Sequence, residues 1–246
     1  MSFEIPTVNG DAAPQSGAPL PDALPILPLR ESVPFPETLT PLAIGQERSI
    51  RLVNDVLGGN RMLAMVASRD GEIENPSPDQ VYRVGVAGVV ARMLKVPDGT
   101  LRILVHGAQR VELQDFVATE PYLVARIVPA PDIVKPNPDL EALHRNVQST
   151  FSRIIEEVPY LPEELQLAVM NLEDPGELAH MIAGALRIKT EEKQALLEER
   201  DVAKRLRRLL EILQQELEVV QIGSRIQSEV QGELDRGQRE YILRQQ

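Results

Sequence analysis

The positions of the prolines divide this chain into two parts that require different architectures. All 20 prolines lie at or before Pro175, and a helical pattern of apolar residues continues from there to Gln246. Up to about Val134, glycine and proline repeatedly interrupt short apolar runs, which is typical of β-strands joined by turns. We therefore predict an α+β chain with a β-rich part first and an all-α part after it.

The final residues, Tyr241–Gln246, include neither glycine nor asparagine, the residues that most often end a helix. The helical pattern therefore reaches the end of the sequence without a stop signal. We interpret the chain as an N-terminal piece of a longer protein, with a role in recognition or assembly rather than in catalysis.

The chain is acidic and poor in aromatic residues, with a formal net charge of −11 and an aromatic fraction of 3%. Phosphate backbones and anionic membranes repel such a chain on average, which argues against nucleic acid and membrane partners. Cysteine is absent, which excludes disulfides and thiolate sites. No signal peptide or membrane-length apolar run is recognisable, so we predict a cytoplasmic protein.

The first part is predicted to contain a leader and one domain. Residues 1–21 combine four prolines with little apolar content and are expected to be disordered. Residues 22–132 are predicted to form a small β-barrel-type domain of six or seven strands with one helix over 46–57. Asp98-Gly99 predicts a tight hairpin turn, and we expect Gly107 to end the strand that follows it.

Residues 133–190 are predicted to form a helical subdomain. Asn137 is expected to cap its first helix, with Pro138 at the first helical position. Asp174-Pro175-Gly176-Glu177 has the pattern of a capping box and opens a third helix. Thr190 is expected to cap a fourth. The first helix should bury one apolar stripe, formed by Leu140, Leu143, Val147, Phe151, Ile154 and Val158.

Residues 191–246 are predicted to form one long helical arm. Apolar residues there follow a heptad spacing in which only Glu199 departs from the pattern. Three glycines weaken the second half of this helix. We expect a coiled-coil-like arm with its first half packed and its second half exposed. The heptad positions are Leu196, Ala203, Leu206, Leu210, Leu213, Leu217 and Val220.

Patterns that would indicate catalysis are not found in this sequence. No lysine stands in a Walker phosphate loop, and neither a G-x-S-x-G elbow nor an H-E-x-x-H motif occurs. His106, His144 and His180 fall in three different elements without ligand spacing. We predict no catalytic, cofactor-binding or metal-binding residue in this segment. The basic cluster Lys204–Arg208 is best explained by pairing with glutamates on the helix surface or by contacts between helices, and phosphate binding is the alternative.

Because no catalytic pattern is found, we expect the function to lie in surfaces that bind other chains. The prolines around Phe35 make its loop rigid, and a buried anchor and an exposed recognition tip would have the same sequence there. Methionines are adaptable side chains of the kind that promiscuous binding surfaces use, although packing in the core is the alternative for each. We predict the following substrate-binding residues: Val33, Pro34, Phe35, Pro36, Met62 and Met93.

Several collinear segments resemble the N-terminal region of Lon proteases, and together they cover nearly all of the chain beyond residue 22. The most specific is the closing run from Gln238 to Gln246. The other segments are Leu24–Arg30, Val33–Pro36, Pro41–Gly45, Gly85–Gly88, Gly99–Gly107 and Ile154–Pro159.

This resemblance implies a PUA-like β domain, a helical subdomain and an arm that leads towards an ATPase domain of the AAA type. Lon proteases are hexameric ATP-dependent serine proteases of protein quality control, with a Ser-Lys dyad. Neither the dyad nor the ATP and Mg²⁺ site falls in this segment. The resemblance therefore implies a substrate-recognition and assembly module for unfolded or damaged polypeptides. The alternative is a structural or nucleic-acid-binding adaptor that uses the arm and the Lys204–Arg208 cluster.

Overall fold

A computed structural model describes residues 19–135 and 138–244, with side chains described as far as residue 232. The chain divides into two compact units, the first ending at Pro131 and the second beginning at Asp132. The predicted leader falls almost entirely outside the described residues, and the predicted cap Asn137 also lies outside them.

In its described residues, the first unit contains one helix, α1, and a mixed sheet of six strands. The order of the strands in the sheet is β2-β5-β4-β3-β1-β6, and β6 also pairs with β5. Five strands therefore form a closed circuit of pairings, while β2 lies outside it at an edge. Only β1 and β3 pair in parallel. The elements are β1 Ala23–Leu29, β2 Leu39–Ile44, α1 Glu47–Leu57, β3 Met62–Ala67, β4 Val84–Lys95, β5 Leu101–Ala118 and β6 Val124–Pro129.

Both faces of the sheet bury apolar residues because successive residues of a strand point to opposite sides. Ala64 and Val66 of β3 join one buried cluster, and Leu63 and Met65 are buried on the other face. The helix α1 adds buried apolar residues of its own. The first cluster consists of Leu24, Ile26, Ala64, Val66, Ala87, Val111, Leu113, Leu123, Ala125 and Ile127.

The predicted hairpin turn joins β4 to β5. Gly99 has a φ of +87°, which glycine adopts without strain. The Asp98 carboxylate accepts hydrogen bonds from the backbone N–H of Thr100, at 2.9 Å, and from its hydroxyl, at 2.7 Å. The turn therefore fixes the register between the two longest strands.

The prediction that Gly107 ends a strand is wrong, because β5 continues without interruption from Leu101 to Ala118. A Cβ atom at Gly107 would lie 2.6 Å from the carbonyl oxygen of Phe35. Glycine is therefore required here for the close approach of two backbone segments, and not as a strand end.

The second unit contains five helices among its described residues. The stripe predicted for α2 is buried apart from the half-buried Leu143. Asp174 caps α4 as predicted, and its Oδ1 accepts a hydrogen bond from the Glu177 N–H at 2.8 Å. The expected cap at Thr190 is wrong, because Thr190 is itself the first residue of α5. The helices are α2 Pro138–Glu157, α3 Glu164–Asn171, α4 Pro175–Ala185, α5 Thr190–Glu198 and α6 Val202–Arg244.

The single helix predicted over 191–246 is also wrong, because the chain leaves the helical conformation between α5 and α6. Glu199 is extended, with φ −73° and ψ 108°. Ile133 pairs with Asp201 in parallel: its N–H donates to the Arg200 carbonyl at 2.8 Å, and its carbonyl accepts from the Val202 N–H at 3.1 Å. These hydrogen bonds to Ile133, which is distant in sequence, compete with hydrogen bonds of a continuous helix. They therefore separate α5 from α6.

Candidate functional site

The loop Val33–Pro36, predicted as a substrate contact, is buried in the first unit. Phe35 is 1% exposed, and its carbonyl accepts a hydrogen bond from the Thr38 hydroxyl at 2.7 Å. Of the two alternatives that the sequence left open for this loop, the structure shows the buried anchor and not the exposed tip. A contact between these four residues and a substrate stays a prediction that would require the loop to open.

The two predicted methionines are both half-buried. Met93 lies opposite Ile103, which is buried, so its side chain is on the core-facing side of the β4–β5 hairpin. Met62 lies opposite Val89 and packs partly on the buried cluster. Whether either side chain contacts a substrate stays a prediction.

The register of the sheet places three rows of side chains on one face of β2, β5 and β4. This face is opposite to the face that carries Met93 and the buried Ile103. Residues directly opposite each other in an antiparallel pair project to the same side. The rows are Leu39 with His106 and Val89, Pro41 with Leu104 and Arg92, and Ala43 with Arg102 and Leu94. We call these nine residues the hairpin face.

The hairpin face exposes large apolar side chains although the opposite face of the same strands is packed. Leu94 is 64% exposed and Leu39 is 57% exposed. On the opposite face, Leu101, Ile103 and Val105 are all buried. The two leucines stand at opposite corners of the hairpin face, with the exposed Pro41 and the half-buried Leu104 in the row between them. An extended apolar surface of this kind is typical of sites that bind other chains.

The charged groups of the hairpin face are basic. Arg92 and Arg102 are both exposed, and no hydrogen bond or ion pair joins either guanidinium to a described side chain. Asp98, in the turn, is close enough to Arg102 to interact with it. The hydrogen bond from the Thr100 hydroxyl is the main cause that lowers the pKa of Asp98, and Arg102 adds a smaller contribution.

A separate pocket of about 270 Å³ lies between the start of α1 and the ends of β1 and β2. Its walls include apolar residues, and charges of both signs, such as Arg48 and Glu74, stand around it. Tyr122 lines it and donates a hydrogen bond to Asp55 at 3.0 Å. Burial, followed by this bond, raises the pKa of Tyr122. The volume is below the roughly 300–1,000 Å³ of most small-molecule sites.

The three histidines belong to three different elements. His106 belongs to the hairpin face, His144 lies within 3.0 Å of the Leu172 carbonyl, and His180 is buried in α4. Among the described residues, no three histidine or acidic side chains are grouped so that they could hold a metal ion. None of the described helices has both the length and the apolar content needed to cross a membrane.

The basic cluster Lys204–Arg208 does not form one surface. Arg205 is 1% exposed and makes two hydrogen bonds to the Asp132 carboxylate, at 2.9 and 2.5 Å. Its Nε and Nη2 also donate to the Glu199 carbonyl, at 2.9 and 2.6 Å. Arg207 lies 3.8 Å from Asp139. The buried member of the cluster is therefore not available to a phosphate group.

Comparison with known proteins identifies the family. The family described as the ATP-dependent protease La (LON) substrate-binding domain matches residues 23–215. The Lon protease of Dictyoglomus thermophilum is 42% identical over 227 residues, which cover 92% of this chain and 28% of that protein. Lon protease 1 of Herpetosiphon aurantiacus is 41% identical over 232 residues, with the same two coverages.

Two solved structures share the fold. The N-terminal domain of a Mycobacterium avium complex Lon protease has a TM-score of 0.66 at 19% identity, covering 78% of this chain and 98% of that one. The Lon N-terminal domain protein from Xanthomonas campestris has a TM-score of 0.55, also at 19% identity, with coverages of 76% and 96%. The chain spans about 28% of the length of the Lon proteases that it matches. It belongs to the family of Lon substrate-binding domains.

Proposed function

We propose that this chain is the substrate-recognition and assembly module of an ATP-dependent serine protease. In this proposal it binds unfolded or damaged polypeptides on the hairpin face for delivery to the ATPase and protease ring. The observation that carries the proposal is the exposure of Leu39 and Leu94 on one face of strands whose other face is packed. The family to which the chain belongs supports a role in binding substrate.

The chemistry of the hairpin face suits this task. Unfolded polypeptides differ in sequence, but they share apolar side chains that a folded protein would bury. A flat apolar surface tolerates many such side chains, whereas a deep pocket would select one. Each contact is then weak, and several copies of the surface held together in one assembly raise the effective concentration of the second and later contacts.

The rest of the proposal concerns parts of a Lon protease that this chain does not span. We place ATP, Mg²⁺ and the Ser-Lys dyad in those parts, and we expect the whole protein to form a hexamer in the cytoplasm. The acidic net charge of −11 supports the absence of nucleic acid and membrane partners. An exposed apolar stripe that begins near the middle of α6 supports a coiled-coil role in assembly. Its residues are Val219, Ile222, Ile226 and Val230.

An NMR titration of the chain with one client protein, native and then heat-denatured, tests the binding surface. We expect shifts only with the denatured client, clustered on the hairpin face. A Leu39→Ser/Leu94→Ser variant should bind at least about tenfold more weakly, because each leucine contributes up to about 1.5–3 kcal/mol when it leaves water. The matched control is Leu167→Ser/Met170→Ser, which alters two side chains that are equally exposed on α3.

Two outcomes would contradict the proposal. One is a similar affinity for the native and denatured client, because recognition would then not depend on unfolding. The other is an equal loss of binding in the α3 control, because the apolar contact would then not be specific to the hairpin face.

The alternative of a nucleic-acid-binding adaptor has less support from the structure. Arg205 is engaged by Asp132, which leaves Lys204, Arg207 and Arg208 as the outward members of the cluster. Binding to RNA or DNA that falls steeply with salt would favour this alternative.

A further inference from the structure

The hairpin face has a charge opposite to that of the chain as a whole. The chain has a formal net charge of −11, yet the only ionised groups among the nine residues of this face are two arginines. Arg92 lies opposite Leu104 and Arg102 lies opposite Leu94, so the arginines are diagonal neighbours on β4 and β5. Such neighbours are about 7–8 Å apart.

Apolar and cationic side chains therefore alternate on this face both along and across the strands. Leu94 follows Arg92 on β4, and Leu104 follows Arg102 on β5, at positions that share one side of the sheet. An extended segment lying across the two rows that contain an arginine would meet a leucine beside an arginine in each of them. The surface complementary to this pattern alternates apolar and acidic side chains.

The groups around the face leave the arginines available. Asp98 is the acidic residue near Arg102, and its carboxylate already accepts two hydrogen bonds from Thr100. Lys95 stands next to Leu94 on the other side of the strand and adds further positive charge at this end of the hairpin. A carboxylate on a bound chain could therefore pair with either guanidinium without displacing an existing ion pair of the described residues.

We infer that the hairpin face selects, among unfolded polypeptides, those segments in which acidic residues stand beside apolar ones. This inference rests on the proposed function, because it assigns a substrate preference to the same surface. Its physical basis is that charge complementarity supplies selectivity at a surface where apolar contacts alone do not discriminate.

Three synthetic peptides of equal length test the inference. They share the same apolar residues at alternate positions and carry glutamate, serine or lysine between them. We expect the glutamate peptide to bind most tightly and the lysine peptide least, with about a threefold difference at each step in dilute buffer. The differences should shrink as salt is raised, because screening shortens to about 3 Å at 1 M ionic strength.

A charge reversal locates the effect. The Arg92→Glu/Arg102→Glu variant should invert the order of the three peptides. The control, Arg126→Glu/Arg153→Glu, makes the same change in net charge at exposed positions outside the hairpin face and should keep the original order. Amide spectra of all variants verify that the fold is retained.

The outcomes separate this inference from the proposed function. If all three peptides bind the hairpin face with equal affinity, or if the control also inverts the order, the inference is overturned and the proposed function stands. If none of the three peptides shifts any residue of the hairpin face, the proposed function itself fails, and the charge preference fails with it.

Discussion

Gly107 and Gly223 both lie inside long elements, yet their surroundings reverse the effect of adding a methyl group. A Cβ atom at Gly107 would lie 2.6 Å from the Phe35 carbonyl oxygen and 3.1 Å from a methyl carbon of Val86. At Gly223, on the exposed part of α6, a Cβ atom would meet nothing within 4 Å. The first glycine is thus required by packing, whereas the second only weakens a helix.

We expect Gly107→Ala to lower the free energy of unfolding by roughly 1–3 kcal/mol, because the backbone that carries Phe35 must move away. Gly223→Ala should raise helix stability by up to about 1 kcal/mol. Urea unfolding followed by circular dichroism measures both changes. A Gly107→Ala protein as stable as the parent would show that the loop around Phe35 shifts at little cost, and would favour its opening to substrates.

The two positions Met93 and Leu94 show what a sequence can and cannot predict about the site. The hairpin turn at Asp98-Gly99 was predictable, and so was the alternation of side chains along both strands. Which of the two alternating sets is exposed depends on the partner strand, because Met93 faces the buried Ile103 while Leu94 faces Arg102. The adaptability of its side chain favoured Met93 as a substrate contact in the prediction. Pairing across the sheet instead places Leu94 on the surface.

At the scale of elements, the separation of α5 from α6 depends on contacts rather than on local sequence. No proline or glycine lies between Thr190 and Ile222, so nothing in that stretch prevents one continuous helix. The buried guanidinium of Arg205 instead holds the Glu199 carbonyl and the Asp132 carboxylate. Asp201 also accepts a hydrogen bond from the Lys204 N–H at 3.2 Å and so caps the start of α6.

We therefore expect Arg205→Met to lower the stability of the second unit by on the order of 3 kcal/mol, because the Asp132 carboxylate loses two hydrogen bonds from the buried guanidinium. The same change should move the Cα chemical shifts of residues 199–201 towards helical values. Arg207→Met is the control, because the contact of Arg207 with Asp139 is exposed and contributes little. If residues 199–201 keep extended shifts, the pairing of Ile133 with Asp201 maintains the break without Arg205.

The break between α5 and α6 also shows the limit of predicting helices from this sequence. The helices before α5 followed in type and order from apolar periodicity, and the cap at Asp174 followed from its motif. The only local sign of the break was Glu199, which interrupts the heptad pattern. The partner that anchors Arg205 is 73 positions away in sequence. A single sequence does not specify a contact of that range.

At the scale of the whole molecule, every residue of the hairpin face belongs to the first unit, which ends at Pro131. The sheet that carries the face is complete within that unit, and its cores are formed by residues of the same unit. The second unit contributes no side chain to the nine. Binding of an unfolded chain should therefore not require the helices of the second unit.

We expect a protein that ends at Pro131 to fold and to bind a heat-denatured client within about twofold of the affinity of the full chain. The measurement is an NMR titration of both proteins with the same client, after dispersed amide signals have verified that the shorter protein is folded. A protein of residues 132–246 is the matched control and should bind at least about tenfold more weakly, because it lacks the hairpin face. Strong binding by that control would move recognition to the helical unit, where Leu167 and Met170 are the exposed apolar side chains of α3. A folded first unit that does not bind would show that substrate contacts extend over both units.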